Sequence, residues 1–119
     1  MATSVLVVDD DASFRDLAVR IVTGWGHVVV AEAGSVDEAV ACALELRPDT
    51  ALVDIGLPDG DGFALSRRLR AMSWPLTVVL ISSDPDGADG PAAERAGACG
   101  FVPKDEMSGA SLWRLIESG

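Results

Sequence analysis

With 119 residues, the chain is long enough for one hydrophobic core and short enough that we expect a single domain over residues 1–119. Hydrophobic residues make up 49% of the sequence, which excludes an intrinsically disordered chain. The formal net charge of −10 argues against direct binding of nucleic acid by this chain, because contacts to phosphates require lysine and arginine.

The first half of the chain predicts strands that alternate with helices. An apolar run at 5–8 predicts the first strand, and apolar residues at helical spacing predict a helix from about Ala12 to Gly24. The apolar stripe of this helix consists of Phe14, Leu17, Ala18, Ile21, Val22 and Trp25. Residues 28–31 predict the second strand, and 51–53 the third. Between them, a capping box at Ser35 begins a helix that Pro48 ends.

The second half continues the alternation. The predicted elements are a helix at 63–72, a strand at 76–81, a helix at 92–98, a strand at 100–103 and a helix at 109–117. Residues 84–91 are rich in glycine and proline, and each glycine disfavours a helix by about 1 kcal/mol relative to alanine. We therefore expect the fourth helix to be short.

Strict alternation with short connections predicts an α/β fold, in which a five-stranded parallel sheet is doubly wound by five helices on its two faces. No apolar run approaches the ~18 residues of a membrane span, and no signal peptide is recognisable, so we expect no membrane association. Cys42 and Cys99 do not form a redox or zinc motif. We expect two reduced thiols and a cytoplasmic protein.

Four of the predicted strands end in residues that can bind a metal or a phosphoryl group. Asp9 and Asp10 follow the first strand, Asp54 the third, Ser82 the fourth and Lys104 the fifth. In open parallel sheets, ligands bind beyond the carboxyl ends of the strands. Four such endings in one chain predict a single shared site.

The carboxylates of Asp9, Asp10 and Asp54 would repel one another unless a cation lay between them. Mg²⁺ suits oxygen ligands, and the backbone carbonyl near Gly56 could complete the ligand set. A carboxylate can itself attack phosphorus, while Lys104 can neutralise a phosphoryl oxygen. Since the sequence has no glycine-rich nucleotide cradle, we expect that the phosphoryl donor is not a nucleotide bound here.

The segments that carry these residues resemble the receiver domain of bacterial two-component response regulators over essentially the full length. The matching segments are Val7–Asp10, Leu52–Gly62, Ile81–Ser83 and Gly100–Lys104. The resemblance implies a flavodoxin-like fold with strand order 2-1-3-4-5. It also implies that Asp54 accepts a phosphoryl group from a phosphohistidine on a sensor histidine kinase.

Further roles follow from the same resemblance. It implies that Asp10, Asp54 and the Gly56 carbonyl bind Mg²⁺, or alternatively Mn²⁺, with Asp9 acting through water. Lys104 would pair with the phosphoryl group, Ser82 would bond to it, and Phe101 would turn inward as Ser82 moves. The fourth helix, fifth strand and fifth helix would form the output surface.

The resemblance implies a switch rather than an enzyme, beyond self-catalysed uptake and loss of the phosphoryl group. The implied partners are the kinase and a downstream effector domain or protein, with a possible homodimer through the output surface. Lys104-Asp105 and the Asp54 loop look like those of regulators with a helix-turn-helix domain. The chain is therefore interpreted as a stand-alone receiver or as the first part of a longer regulator.

Two other functions are compatible with parts of the sequence. Asp9-Asp10-Asp11-Ala12-Ser13 also fits the D-x-D-x-[TSV] pattern of haloacid-dehalogenase-like phosphatases, with Asp9 as nucleophile and Asp11 as acid/base. That hypothesis does not explain Asp54. The other alternative is a pseudo-receiver that binds partners without phosphorylation.

Several residues near these motifs have simpler interpretations. We expect Asp11 to cap the first helix, and Asp59 and Asp61 to be turn residues. His27 is predicted to be a surface residue or a satisfied buried one. Trp113 lies beside the inward stripe of the last helix, so that both an interior and an exposed, partner-binding position stay open.

Overall fold

The computed structural model describes residues 3–83 and 90–118. In this part of the chain, one parallel sheet contains the strands β1 (Ser4–Val8), β2 (Val28–Ala33), β3 (Thr50–Asp54), β4 (Thr77–Ser82) and β5 (Gly100–Pro103). The strands are arranged in the order β2-β1-β3-β4-β5. This confirms the predicted α/β fold and its 2-1-3-4-5 strand order.

The helices that separate the strands are α1 (Ala12–Gly24), α2 (Val36–Leu46), α3 (Gly62–Arg70), α4 (Gly90–Arg95) and α5 (Ala110–Ser118). A single 3₁₀ turn, Lys104–Glu106, follows β5. None of the described helices is both long and apolar enough to span a membrane. The predicted boundaries are right to within three residues, and α4 shows the largest difference.

Helix α4 is short, as expected, but it begins and ends earlier than the predicted range of 92–98. Pro91 is its second residue, and proline is tolerated in the first turn because the N–H that it lacks would have no partner in the helix. Gly97 has a positive φ of 78°, which ends the helix before Ala98. The remainder of the glycine- and proline-rich segment, residues 84–89, lies outside the described residues.

Helices cover both faces of the sheet. Buried residues of α2, α3 and α4 pack on one face, and buried residues of α1 and α5 pack on the other. Every residue of β3 is buried, while β1 is buried from Val5 to Val8. The two central strands therefore have fixed positions, and their carboxyl ends are held side by side.

The structure shows how far three residues with sequence-based predictions are buried. Leu17 was predicted inside the α1 stripe but is exposed, whereas Phe14, Ala18 and Val22 are buried and Ile21 and Trp25 are partly buried against the same core. His27 is buried: its Nδ1 accepts the Thr3 N–H at 3.1 Å, and its Nε2 lies 3.1 Å from Glu117 Oε1 without the geometry of a hydrogen bond. Trp113 is exposed.

The two cysteines form no disulfide in this structure. Cys42 is partly buried, whereas Cys99 is exposed on the segment that leads into β5. Neither cysteine is among the residues that line the cleft described below.

Side-chain oxygens cap the N-termini of three of the described helices. Asp11 accepts the N–H groups of Ser13 and Phe14 at the start of α1, as predicted. Ser35 accepts the Glu38 N–H at the start of α2. Asp61, predicted only as a turn residue, accepts the Ala64 N–H at 2.7 Å and caps α3. These caps fix the helix starts that follow the carboxyl ends of the strands.

Candidate functional site

The acidic residues predicted to meet do meet at the carboxyl end of the sheet. Strands β1 and β3 are parallel neighbours, with Val8 opposite Val53, so the residues that follow them lie side by side. One carboxylate oxygen from each of Asp9, Asp10 and Asp54 lies within 4.8 Å of the others. The sheet thus concentrates three negative charges in one small volume.

Lys104 provides a positive charge among these carboxylates. It begins the 3₁₀ turn after β5, and its Nζ lies 2.6 Å from Asp9 Oδ2 and 3.9 Å from Asp54 Oδ2. The same Nζ lies 4.3 Å from the centre of the Phe14 ring. An ammonium at that distance over an aromatic face is attracted by the ring. Phe14 therefore helps to hold the lysine, a role that its place in the α1 stripe did not predict.

Asp9 is completely buried. Its Oδ1 accepts the Asp11 N–H at 2.8 Å, and its backbone N–H donates to the Ala33 carbonyl at 2.9 Å. The Arg15 guanidinium donates to the backbone carbonyl of Asp9. These contacts fix the turn between β1 and α1, while Oδ2 faces the lysine.

Asp54 is nearly buried at the end of β3. Burial, reinforced by the charge of Asp9, raises the pKa of its carboxyl to about 6. The Lys104 ammonium and a hydrogen bond from the Gly56 N–H lower the pKa and only partly offset this rise. The Asp54 carboxylate is therefore an anion in an unfavourable environment, which an added cation would relieve.

These residues open onto a cleft of about 520 Å³. Its lining consists of Asp10, Asp11, Phe14, Asp54, Ile55, Gly56, Ser82, Ser83 and Lys104. Phe101, the remaining predicted switch residue, does not line the cleft; it is partly buried and packs against the core on the α2–α3 face. Ser83, which follows β4, also lines the cleft.

The loop after Asp54 folds back tightly on itself. Gly56–Leu57 pairs antiparallel with Gly60–Asp61, which forms a two-rung hairpin. The Gly62 N–H donates to the Ile55 carbonyl at 2.9 Å, and a Cβ at Gly62 would lie 2.5 Å from the Asp54 carbonyl oxygen. Only glycine fits there, so that this position sets how closely α3 approaches the cleft beside Asp54.

The donor set fits a hard divalent cation. Three carboxylates supply oxygen ligands, and Asp10 is exposed at the mouth of the cleft while Asp9 and Asp54 are buried. Mg²⁺ prefers such oxygens and commonly keeps several waters, for which the open cleft has room. Asp9, Asp10 and Asp54 are therefore the residues that could hold Mg²⁺.

Known proteins resemble this chain in both sequence and fold. The sequence matches the family profile described as the response regulator receiver domain over residues 5–116. It is 40% identical, over 95% of this chain, to the DNA-binding transcriptional activator DevR/DosR of Mycobacterium tuberculosis. It is 42% identical, over 88% of this chain, to protein-glutamate methylesterase/protein-glutamine glutaminase 6 of Anaeromyxobacter dehalogenans.

Solved structures resemble the fold throughout. The signal receiver domain of NarL from Mycobacterium tuberculosis has 34% identity and a TM-score of 0.82, with 96% of each chain covered. A LuxR-family two-component response regulator from Aurantimonas has 28% identity and a TM-score of 0.88, with 99% of this chain and 84% of that chain covered.

The curated relatives are longer proteins than this chain. The chain spans 52% of the DevR/DosR sequence and 30% of the methylesterase sequence. In both relatives, the match is to a part of the protein. The chain belongs to the response regulator receiver domain family of two-component systems.

Proposed function

We propose that Asp54 accepts a phosphoryl group from a phosphohistidine of a sensor histidine kinase, in a reaction that depends on Mg²⁺. The observation that carries this proposal is the convergence of the Asp9, Asp10 and Asp54 carboxylates, within 4.8 Å of one another, with the Lys104 ammonium beside them. Phosphoryl transfer requires chiefly positioning and neutralisation of charge, and this arrangement supplies both.

Each residue has a distinct part in the proposed transfer. An oxygen of Asp54 attacks phosphorus, the P–N bond to the donor histidine breaks, and the released imidazole nitrogen takes a proton. Lys104 lies 3.9 Å from Asp54 Oδ2 and would contact an oxygen of the arriving group. Ser82, which lines the same cleft, would donate its hydroxyl hydrogen to a second oxygen.

Mg²⁺, with Mn²⁺ as an alternative, would supply charge neutralisation when bound by Asp10, Asp54 and the Gly56 carbonyl. Asp9 would act through water: both of its carboxylate oxygens already contact protein groups, the Asp11 N–H and the Lys104 Nζ. Asp10 is exposed and free to turn toward the cleft. Asp9 would therefore be a positioning carboxylate, whereas Asp10 and Asp54 would be direct ligands.

The output of the switch is proposed to pass through α4, β5 and α5 to an effector domain or protein, or to a second copy of the chain. In support, Phe101 in β5 packs against the core beside α4 residues, and Trp113 exposes 45% of its surface on α5. A phosphoryl group that drew Ser82 toward it would leave space for Phe101 to move inward.

We further propose that residues 1–119 form one receiver domain that acts as a switch and not as an enzyme on other substrates. A cytoplasmic location belongs to the same proposal, since both cysteines are free thiols. The phosphatase alternative is less well supported, because Asp11 Oδ1 is engaged as the cap of α1 and because that alternative gives Asp54 no role.

The test is phosphoryl uptake from a small donor, acetyl phosphate, followed by intact-protein mass spectrometry. We expect one phosphoryl group on the wild type in Mg²⁺ and none when the metal is chelated. The Asp54→Asn variant should take up none. The matched control is Asp61→Asn, which removes a carboxylate from the same loop but retains an oxygen that can cap α3.

Two outcomes would contradict the proposal. Turnover of a phosphate ester such as p-nitrophenyl phosphate that survives Asp54→Asn would favour the phosphatase. A wild type that binds Mg²⁺ but takes up no phosphoryl group from acetyl phosphate, phosphoramidate or a histidine kinase would favour a pseudo-receiver.

A further inference from the structure

Asp59 makes two hydrogen bonds that the turn it occupies does not require. Its Oδ1 accepts the Val36 N–H at 2.7 Å, and its Oδ2 accepts the Asp37 N–H at 3.2 Å. Both donors belong to the first turn of α2, more than twenty residues earlier in the chain. The first N–H groups of a helix have no partner within it, and a carboxylate there also meets the positive end of the helix dipole.

The carboxylate thereby attaches the tip of the Asp54 loop to α2. Asp59 lies at the turn of the hairpin whose strands are Gly56–Leu57 and Gly60–Asp61. Two neighbours reinforce the attachment. Leu57 is buried in the same core cluster as Val36, and a Cβ at Gly60 would lie 3.1 Å from Val36 Cγ2. The hairpin is therefore seated against the first turn of α2.

The first turn of α2 is in turn fixed close to the acidic cluster. Ala33, three residues before Val36, accepts the backbone N–H of Asp9 at 2.9 Å. At the other end of the hairpin, the Gly56 N–H lies close enough to the Asp54 carboxylate to lower its pKa. Asp59 thus completes a series of contacts that runs from Asp9, through the start of α2 and the hairpin, to Gly56 and Asp54.

We propose that Asp59 is a positioning residue, which holds the hairpin on α2 and so keeps Gly56 in place beside Asp54 for metal binding and phosphoryl uptake. The inference rests on the proposed function of this site. Asp59 is neither among the residues that line the cleft nor among the carboxylates that could hold a metal, so its effect would pass through the backbone of residues 56–60.

The ionisation of Asp59 agrees with this role. The hydrogen bond from the Val36 N–H, followed by that from Asp37, holds the pKa of the Asp59 carboxyl below its usual range. The group is therefore charged at neutral pH, when both hydrogen bonds are charge-assisted.

The experiment compares Mg²⁺ binding by calorimetry in the wild type, Asp59→Ala, Asp59→Asn and the control Asp37→Asn. In Asp59→Ala we expect the dissociation constant for Mg²⁺ to rise about tenfold, the lower end of what loss of an outer-shell contact costs a metal site. Asp59→Asn retains one acceptor for the Val36 N–H and should recover most of the affinity. Asp37→Asn removes an equal charge from the exposed first turn of α2 and should bind like the wild type.

A second measurement does not depend on metal. In the metal-free wild type, the Val36 amide should be protected from hydrogen exchange, and Asp59→Ala should lose protection at Val36 and at Gly62 while the β3 amides stay protected. Gly62 reports on the loop because its N–H bonds to Ile55. This pattern distinguishes a released hairpin from a globally destabilised protein.

The results separate this inference from the proposed function. If the wild type binds Mg²⁺ and takes up the phosphoryl group but Asp59→Ala does both equally well, the positioning role is wrong and the proposed function stands. If Asp37→Asn weakened Mg²⁺ binding by the same factor, the effect of Asp59 would be one of surface charge alone. That result would also overturn the inference. A wild type that fails to bind Mg²⁺ would overturn both.

Discussion

The ammonium of Lys104 lies against the carboxylate of Asp9, with 2.6 Å between Nζ and Oδ2, and is farther from Asp54 Oδ2 at 3.9 Å. Asp9 is completely buried, and Lys104 is the cation that contacts its Oδ2 among the described residues. Buried charges are tolerated only when they are paired, so this contact holds the acidic end of the sheet together before any metal binds.

The first prediction concerns removal of that lysine. Lys104→Met leaves the Asp9 carboxylate buried without its counter-charge, and should lower the free energy of unfolding of the metal-free protein by about 3 kcal/mol, the lower end of the range for breaking a buried pair. Urea denaturation in a chelator measures the loss. The double variant Asp9→Asn/Lys104→Met should be more stable than Lys104→Met alone. If the two single changes were additive, the pair would not be coupled as its geometry implies.

The Phe14 ring lies 4.3 Å from the same ammonium, which gives a second prediction. Phe14→Leu retains an apolar side chain in the α1 core but removes the aromatic face. A double-mutant cycle with Lys104→Met should yield a coupling of about 0.5–1 kcal/mol, typical of a cation over an aromatic ring. Ala18→Gly, in the same buried stripe, is the control and should show no coupling to Lys104. A coupling near zero for Phe14 would reduce its role to core packing.

The pKa of Asp54 is raised to about 6 from an ordinary 3.8. Ionisation of this carboxyl should therefore destabilise the folded, metal-free protein. Between these values the folded state binds the proton more tightly than the unfolded chain, so the free energy of unfolding falls as the pH rises through this window. Asp54→Asn should therefore be more stable than the wild type at pH 7.5, by on the order of 2 kcal/mol. The difference should shrink as the pH falls from 6 toward 4.

Urea titrations of both proteins across that range measure the effect, and addition of Mg²⁺ is the control. The metal should stabilise the wild type much more than Asp54→Asn, because the variant has lost one of the three carboxylates. A variant that is less stable than the wild type at every pH, in chelator, would contradict the assignment of Asp54 as a strained anion.

Gly62 leads to a prediction about the backbone behind the site. A Cβ there would lie 2.5 Å from the Asp54 carbonyl oxygen and 2.6 Å from Ile55 Cα, so Gly62→Ala must displace the loop or α3. We expect a loss of about 2–3 kcal/mol in unfolding free energy, together with weaker Mg²⁺ binding. Gly24→Ala is the matched control, since a Cβ at Gly24 meets nothing within 4 Å. It should leave metal affinity unchanged, and similar behaviour of the two variants would show that Gly62 is not sterically required.

Much of the fold and of the acidic cluster could be predicted because the relevant signals are local. Apolar runs that end in Asp9, Asp54 or Lys104 indicate both the strand and the residue at its end. Their alternation with helices predicts a parallel sheet. Parallel strands then bring their carboxyl ends to one edge. The caps at Asp11 and Ser35 were predictable for the same reason, since donor and acceptor lie within three residues of each other.

Contacts between distant segments could not be predicted in this way. The bonds of Asp59 to the first turn of α2 depend on how the hairpin seats against that helix, and a turn former at position 59 satisfies the local pattern equally well. Likewise, helical periodicity places Phe14 in the core but does not reveal the lysine above its ring. Leu17 was misassigned because periodicity gives the direction of an apolar stripe but not the width that neighbouring elements cover.

The central claim is that Asp54 itself carries the phosphoryl group, and chemical mapping of the modified residue tests it most directly. Borohydride converts an aspartyl phosphate to homoserine, so protein treated with acetyl phosphate and Mg²⁺, reduced and digested, can be sequenced by mass spectrometry. We predict homoserine at position 54 alone, and none when Mg²⁺ is chelated. Homoserine at position 9, or at none of the aspartates of a protein that binds Mg²⁺, would contradict the account.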